Sequence, residues 1–425
     1  MLMAALLVCV GRGGNISPAR LPLATADWPG RCEKGFVSSP TKRWIASYSI
    51  RINTPHQPMT ETSLKRTAFY DLHLAAGAKI VPFAGFEMPV SYRGIVAEHT
   101  AVRQRVGVFD VSHMGEVLVT GPNALDFVQK ITVNDAATLT VGQAQYSAMC
   151  RPGGGIVDDL LVYFRGPENY LLVINGANID KDFAWMQQNA IEGATLVNAS
   201  DDYSLLAVQG PKSLETLQKL TTTDLSAIEY YHFAEGEIAG VPAIISRTGY
   251  TGELGFELYF SSNRQPSETV WNAVMEAGAE FGIEPTGLGA RDTLRLEMGF
   301  CLYGNDITDD TNTIEAGLGW ITKLEKGEFN GREALAAVKA AKPSRKLVAF
   351  LMSERGIPRQ HYKIAAEGRE VGEVTSGTSS PMLGQGIGMG YVESGFAKTG
   401  TEIAIVIRDK QIPATIVKLP FVKKG

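Results

Sequence analysis

The stretch Pro152-Gly153-Gly154-Gly155-Ile156-Val157-Asp158-Asp159-Leu160-Leu161-Val162-Tyr163-Phe164 decides how this chain is read. Three consecutive glycines tolerate backbone angles that other residues avoid, so they predict a turn. The Ile-, Val-, Leu-, Tyr- and Phe-rich run behind them predicts a strand. Side chains alternate along a strand. Ile156, Asp158, Leu160, Val162 and Phe164 should therefore share one face, and Val157, Asp159, Leu161 and Tyr163 the other. Each face carries one carboxylate among apolar neighbours. A lone buried carboxylate is costly, so each needs a partner, a cavity or a ligand. The structural alternative is that both lie at the strand mouth and cap nearby backbone N–H groups.

Outward from this strand, Ala144 to Cys150 and Tyr170 to Asn175 predict its neighbours, and Lys181 to Ala190 a helix. Before them, a helix is expected at Glu98 to Arg105, strands at Gly107 to Val111 and Glu116 to Thr120, and a helix at Asn123 to Thr132. After them come two further strand–helix units. The first is Tyr203 to Val208 with a helix from Pro211 to Leu220. The second is Ile238 to Ser246 and Phe256 to Phe260 with a helix from Pro266 to Phe281. Sheet runs alternating with packing helices argue for an α+β body over residues 62–340. Past residue 345 the helical period stops. Lys346 to Met352, Arg369 to Thr375, Gly388 to Glu393, Glu402 to Arg408 and Gln411 to Leu419 read as strands, with a tight turn at Asp409-Lys410. Residues 345–425 should form a small all-β barrel. Gly384 to Gly390 fails the spacing of a nucleotide-binding glycine loop and reads as a hairpin.

A chain of 425 residues, 44% hydrophobic and 20% charged, suits a globular protein with sizeable cores. Its net charge of −5 offers no footprint for nucleic acid. The four cysteines (9, 32, 150, 301) and six histidines have no metal-ligand spacing, so neither a disulfide framework nor a metal is expected. No run of 18 apolar residues suggests a membrane span. Residues 1–60 differ from the rest. They hold seven Lys or Arg against two acids, a net of +5, leaving 33 basic and 43 acidic residues elsewhere. A basic, Ser-containing, acid-poor leader reads as an organelle transit peptide. The apolar Leu2 to Val10 leaves a secretory signal as the alternative.

Two other stretches could carry chemistry. Arg247-Thr248-Gly249-Tyr250-Thr251-Gly252-Glu253-Leu254-Gly255-Phe256-Glu257 is a glycine-rich loop turning into a strand. Gly255 should leave room beside Glu257 for a ligand or another backbone. The alternative is an edge strand with a solvated glutamate. Gly287 to Gly299 reads as a helix with Arg291 and Arg295 one turn apart on an apolar side. Arginines there need a carboxylate or an anionic ligand, although Asp292 could simply pair with Arg295.

Together these stretches resemble the T-proteins of the glycine cleavage system, a family of aminomethyltransferases, in its eukaryotic organelle-targeted form. Phe109-Asp110-Val111-Ser112-His113-Met114, Leu206 to Pro211, Cys301-Leu302-Tyr303-Gly304-Asn305-Asp306 and Met389-Gly390-Tyr391-Val392 extend the likeness over residues 64 to 422. The resemblance implies a three-domain cloverleaf around a central folate channel. It implies Asp158, the first aspartate of the motif, as the catalytic carboxylate. Glu257 would bind the pterin, Arg291 would lie at the folate site, and Tyr146, Asn175 and Tyr250 would line the channel. Tyrosines near the C-terminus of several eukaryotic members have no counterpart in Pro420 to Gly425. The implied reaction takes an aminomethyl group from the dihydrolipoyl arm of a carrier H-protein. It releases ammonia and gives 5,10-methylenetetrahydrofolate from tetrahydrofolate. Such a transfer needs positioning and a carboxylate, with no metal and no protein nucleophile. A noncatalytic folate-binding relative in iron–sulfur cluster assembly is the alternative. Glu297 to Gly304 has the transferase form instead of that relative's Lys-Gly-Cys motif. A flavin-fused demethylase has no room here.

Overall fold

The computed structural model describes residues 64–423, so the expectation for the leader at 1–60 lies outside the described residues. The described residues form one compact unit. Its body is built on two antiparallel sheets stacked face to face. The five-stranded sheet runs Gln143–Cys150, Ile156–Gly166, Asn169–Ile174, Gly115–Thr120, Thr195–Asn198. The six-stranded sheet runs Phe233–Ile238, Val241–Ser246, Gly255–Ser261, Tyr203–Gln209, Gly107–Asp110 and the short Glu284–Pro285, which alone pairs in parallel.

Each sheet has two apolar faces, and three cores result. Between the sheets lie Tyr163, Leu171, Val173, Leu205, Ile244 and Tyr259. Outside the five-stranded sheet, Leu160 and Val162 pack on Phe127 and Val128 of the helix Ala124–Ile131 and on Trp185 and Met186 of the helix Ile179–Gln188. Outside the other sheet, Leu206, Val208 and Phe260 pack on Val270, Trp271 and Val274 of the helix Arg264–Gly278. Each such fully buried side chain contributes about 1.5–3 kcal/mol. Six further strands, Arg345–Met352, Lys363–Ala366, Arg369–Ser379, Gly386–Glu393, Glu402–Ile407 and Lys410–Val417, close into the C-terminal barrel. The expected α+β body with an all-β barrel is the architecture found. Among the described residues no helix is long and apolar enough to cross a membrane.

Local details differ from the expected pattern for identifiable reasons. The run Ile238 to Ser246 is not one strand. Ala239 and Gly240, at φ 51° and 77°, turn Phe233–Ile238 back onto Val241–Ser246 as a tight hairpin. A second hairpin, Lys79–Phe83 with Phe86–Ser91, the strand Lys363–Ala366 and the helix Arg332–Ala341 were not anticipated. At the decisive strand, Met149 pairs with Asp158 but Cys150 with Ile156, so a bulge falls at Val157. The extra residue breaks strict alternation. Val157 joins the core under the helices with Leu160, while Ile156 turns toward Tyr146, Cys301 and Tyr303.

Candidate active site

The triple-glycine turn works through two of its residues. Gly154 takes a positive φ of 87°. A Cβ on Gly155 would lie 2.0 Å from the carbonyl oxygen of Asp309, so only glycine lets that loop approach. From this turn the strand carries Asp158 and Asp159 into different surroundings. Of the six expected site residues, Asp158 is the one with no exposed surface (0%). Tyr146, Asp159, Asn175, Tyr250, Glu257 and Arg291 are all half-buried.

Asp158 faces the helix Ile179–Gln188. Its carboxylate accepts from the Asn175 backbone N–H (3.1 Å), the Asn175 side-chain amide (2.9 Å) and the Asn178 amide (2.9 Å). It also touches the carboxyl of Asp182, which is fully buried. Burial raises Asp158 despite these bonds. Burial and then the contact with Asp158 push Asp182 up to about 10. The assignment of Asp158 as the reacting carboxylate does not fit these surroundings. It is enclosed and held by three donors and one carboxyl, and of the other candidates it meets only Asn175 in a hydrogen bond.

Asp159 points the other way. Tyr146 donates to its Oδ2 at 2.8 Å and the Asn175 amide to its Oδ1 at 2.8 Å. Asn175 therefore bridges the two adjacent carboxylates. Burial, then repulsion from Asp158, pushes Asp159 up to about 7. Tyr163, on the same face, reaches across to the second sheet. Its hydroxyl meets Ser246 Oγ (3.1 Å), Thr248 Oγ1 (3.2 Å) and the Tyr259 hydroxyl (3.0 Å). Thr248 in turn donates to Glu257. This hydroxyl chain ties the face of Asp159 to the strand of Glu257. Tyr231 lies near both carboxylates: burial raises its hydroxyl, and Glu257 and Asp159 add to the rise.

Glu257 is raised by burial, with the hydrogen bond from Thr248 and the charge of Arg291 opposing. Arg291, on the helix Leu288–Met298, lies 4.6 Å over the ring of Tyr250. Among the described residues it makes no ion pair, so its guanidinium is a cation without a carboxylate. Burial and then the Arg291 charge push His113 down to about 3, leaving it neutral. Tyr250 donates to the Cys301 carbonyl and stacks on Phe300 at 5.8 Å. At the outer edge, Trp320 stacks on Tyr146 at 6.2 Å and is 64% exposed. A cavity of about 470 Å³ is lined by Arg103, Tyr230, Arg247, Glu253, Gly255 and Met382, and none of the expected site residues borders it.

The remaining arginine is structural. Arg295 pairs with Asp306 (2.7 Å) and Asp292 (2.8 Å) and donates to Ser376 of the barrel (2.9 Å). The pairing with Asp292 is the bland alternative entertained from sequence. The room expected beside Gly255 is already filled: a Cβ there would meet the Gln209 side chain at 2.4 Å. Sequence reasoning missed Asp182, Asn178, Thr248, Tyr163 and Trp320. Asn175, Asn178 and Asp182 follow at three and four residues, but Asn175 is extended and only Asp182 lies in the helix Ile179–Gln188, so it is the turn between strand and helix that brings them together.

The stacked sheets, the inward carboxylates and the unpaired guanidinium over a tyrosine, followed by a closed barrel, define a class of proteins. Residues 69–326 match the family described as the GCVT N-terminal domain, and residues 345–423 match the glycine cleavage T-protein C-terminal barrel domain. This chain belongs to the glycine cleavage T-protein family of aminomethyltransferases. It is 57% identical over 364 residues to an aminomethyltransferase of Porphyromonas gingivalis, covering 85% of this chain and 100% of that one. It is 50% identical over 359 residues to the aminomethyltransferase of Halothermothrix orenii, covering 84% and 100%. The crystal structure of the glycine cleavage system aminomethyltransferase T from Bartonella henselae superposes with a TM-score of 0.80. That structure is 34% identical, over 85% of this chain and 99% of that one. These relatives are bacterial. With such identities to proteins of that name, the noncatalytic iron–sulfur alternative is not favoured.

Proposed function

We propose that this chain moves the one-carbon unit of an aminomethyl group, carried on the dihydrolipoyl arm of an H-protein, to tetrahydrofolate, releasing ammonia. The observation that carries this reading is the grouping of Asp159, Glu257 and Arg291, joined by the Tyr163–Thr248 hydroxyl chain, by Tyr250 under the guanidinium and by the Arg291 charge acting on Glu257. A flat pterin with paired N–H donors suits a carboxylate held by a threonine, since two N–H groups match two carboxylate oxygens. The unpartnered Arg291 guanidinium suits the carbonyl edge of such a ring. Tetrahydrofolate, as co-substrate, supplies the accepting nitrogens.

In this reading Asp159, not Asp158, is the carboxylate at the reacting centre. A group that titrates near 7 can both take and hold a proton at neutral pH. Tyr146 and Asn175 aim its two oxygens. Its negative charge stabilises a developing cation in a site shielded from water. Glu257 and Arg291 orient the ring. Tyr250, Tyr146 and the exposed Trp320 form an apolar wall suited to the arm of the carrier. The test is direct: purified chain, aminomethylated H-protein and tetrahydrofolate should give ammonia and 5,10-methylenetetrahydrofolate together. Ammonia release unaffected by tetrahydrofolate would end the reading.

We further propose that residues 1–60 are a mitochondrial transit peptide, placing the enzyme in the matrix as the organelle-targeted form. The basic, acid-poor composition supports it, as does the start of the family match at residue 69. Fusion of residues 1–60 to a fluorescent reporter should send it to mitochondria with cleavage. A cytosolic or secreted reporter would sink the idea.

A further inference from the structure

Below the site, one buried group is used by nothing described so far. Asp182 has no exposed surface, and among the described residues no N–H or O–H group donates to either of its oxygens in hydrogen-bond geometry. Its neighbours are the Asp158 carboxyl and the Lys181 ammonium, 3.5 Å from Oδ1. Lys181 is committed elsewhere, to the Val157 carbonyl at 2.6 Å and the Tyr303 hydroxyl at 3.0 Å. Two enclosed carboxyls in contact cannot both ionise. The donors decide which keeps the charge. Asp158 accepts three N–H bonds and Asp182 none, so the charge belongs on Asp158 and the proton on Asp182.

We propose that Asp182 is a positioning residue: protonated at working pH, it donates to Asp158, which holds Asn175, which holds Asp159. The inference rests on the reading of Asp159 given above. The links through Asn175 are hydrogen bonds in the structure. The Asn175 amide donates at once to Asp158 Oδ1 at 2.9 Å and Asp159 Oδ1 at 2.8 Å. An ionised Asp158 is thus what keeps that amide aimed, and its charge also opposes ionisation of Asp159. The groups facing the pair are Asp159 on the strand, Lys181 on the helix, and Tyr303 and Arg151 with its partner Asp309 across the loop. Lys181 and Arg151 lessen the negative charge there without donating to Asp182 in hydrogen-bond geometry, so the proton remains the element that completes the pair.

The full chain, with Asp182→Asn and Asp182→Leu, tests this. Asparagine keeps a neutral donor to Asp158 and leucine does not. Asp182→Asn should retain the wild-type pH–rate profile. Asp182→Leu removes that donor, which favours a proton on Asp158 over its charge and loosens the hold on Asn175. Its turnover should fall on the order of ten- to a hundredfold, as for a slightly misplaced group. Its acidic limb should move down by about one pH unit, as expected when a neighbouring like charge is neutralised. A leucine variant that loses only melting temperature would overturn the proposal. So would an asparagine variant as impaired as leucine, since an ionised Asp182 would then be the one required. Infrared difference spectra give a reading independent of catalysis. At neutral pH, wild type minus Asp182→Asn should show the carbonyl band of a protonated carboxyl, and its absence refutes the shared proton. If that band is present but no one-carbon transfer occurs in wild type, the proposed function fails and the carboxyl pair stands.

Discussion

Replacing Asp159 by asparagine should separate chemistry from stability, in a direction that can be worked from its surroundings. The carboxyl titrates at about 7 in the folded protein against an ordinary 3.8. The folded state therefore binds this proton more tightly than the unfolded chain, and stability falls as pH rises from about 4 to about 7. A difference of about 3 pKa units is worth about 4 kcal/mol at pH 8, as an upper bound. Asp159→Asn removes that cost. It also exchanges one acceptor oxygen for an NH₂, so either Tyr146 or Asn175 loses its acceptor, at about 1–3 kcal/mol. The net expectation is a variant at least as stable as wild type at pH 8. Turnover should fall about 10²–10⁴-fold, as for loss of a positioned acid–base group. Asp158→Asn should behave differently. Asparagine offers one oxygen where three N–H donors now converge, so the variant should melt several degrees lower, with a smaller loss of rate transmitted through Asn175. Thermal melts at pH 5 and 8, with single-turnover rates on the same samples, decide the matter. A fully active Asp159→Asn, or one destabilised at pH 8 while Asp158→Asn is stable and inactive, would refute the reasoning.

Glu257→Gln keeps shape but presents a donor where two oxygens accepted, so calorimetry should show weaker tetrahydrofolate binding with H-protein binding unchanged; equal affinity would return Glu257 to a structural role. Glu297 is held at about 2: burial would raise it, but hydrogen bonds from His99 and Ser380 and the charges of His99 and Arg103 outweigh that. A depressed carboxylate stabilises above its ordinary pKa, so about 3 kcal/mol should be lost as pH falls from 4.5 toward 2, and Glu297→Gln should flatten that acid slope in denaturant titrations. A chain beginning near residue 62 should fold and retain full activity; failure to fold would show that residues 1–60 belong to the body.

Much of this protein was legible in its sequence because the signals are local. Alternating apolar runs and glycine turns placed the strands of both sheets, and the end of helical periodicity at residue 345 marked the barrel. The three motif stretches named the family, and they singled out Glu257, Arg291, Tyr250, Tyr146 and Asn175 as candidates for its site. What sequence missed locally has a local cause. Ala239-Gly240 lacks a strong turn signature, so a hairpin read as one strand, and the bulge at Val157 cannot be seen without the partner strand that it fails to match.

The orientation of the two aspartates was decided only by tertiary structure. Along a strand, Asp158 and Asp159 are symmetric: one face each, apolar neighbours on both sides. Sequence determined that they point apart. It could not say which face would lie under the helix Ile179–Gln188 and which would look toward Glu257, nearly a hundred residues away. That depends on which sheet packs on which, through Tyr163 reaching Thr248 and Asp182 descending onto Asp158. The same holds for Arg291 and Arg295, neighbours on one helix with different partners, and for Gly255, whose open side Gln209 fills. Periodicity fixes directions within an element. Only packing between elements decides what a side chain meets there, and so whether a carboxylate becomes a buried prop or a group poised to move a proton.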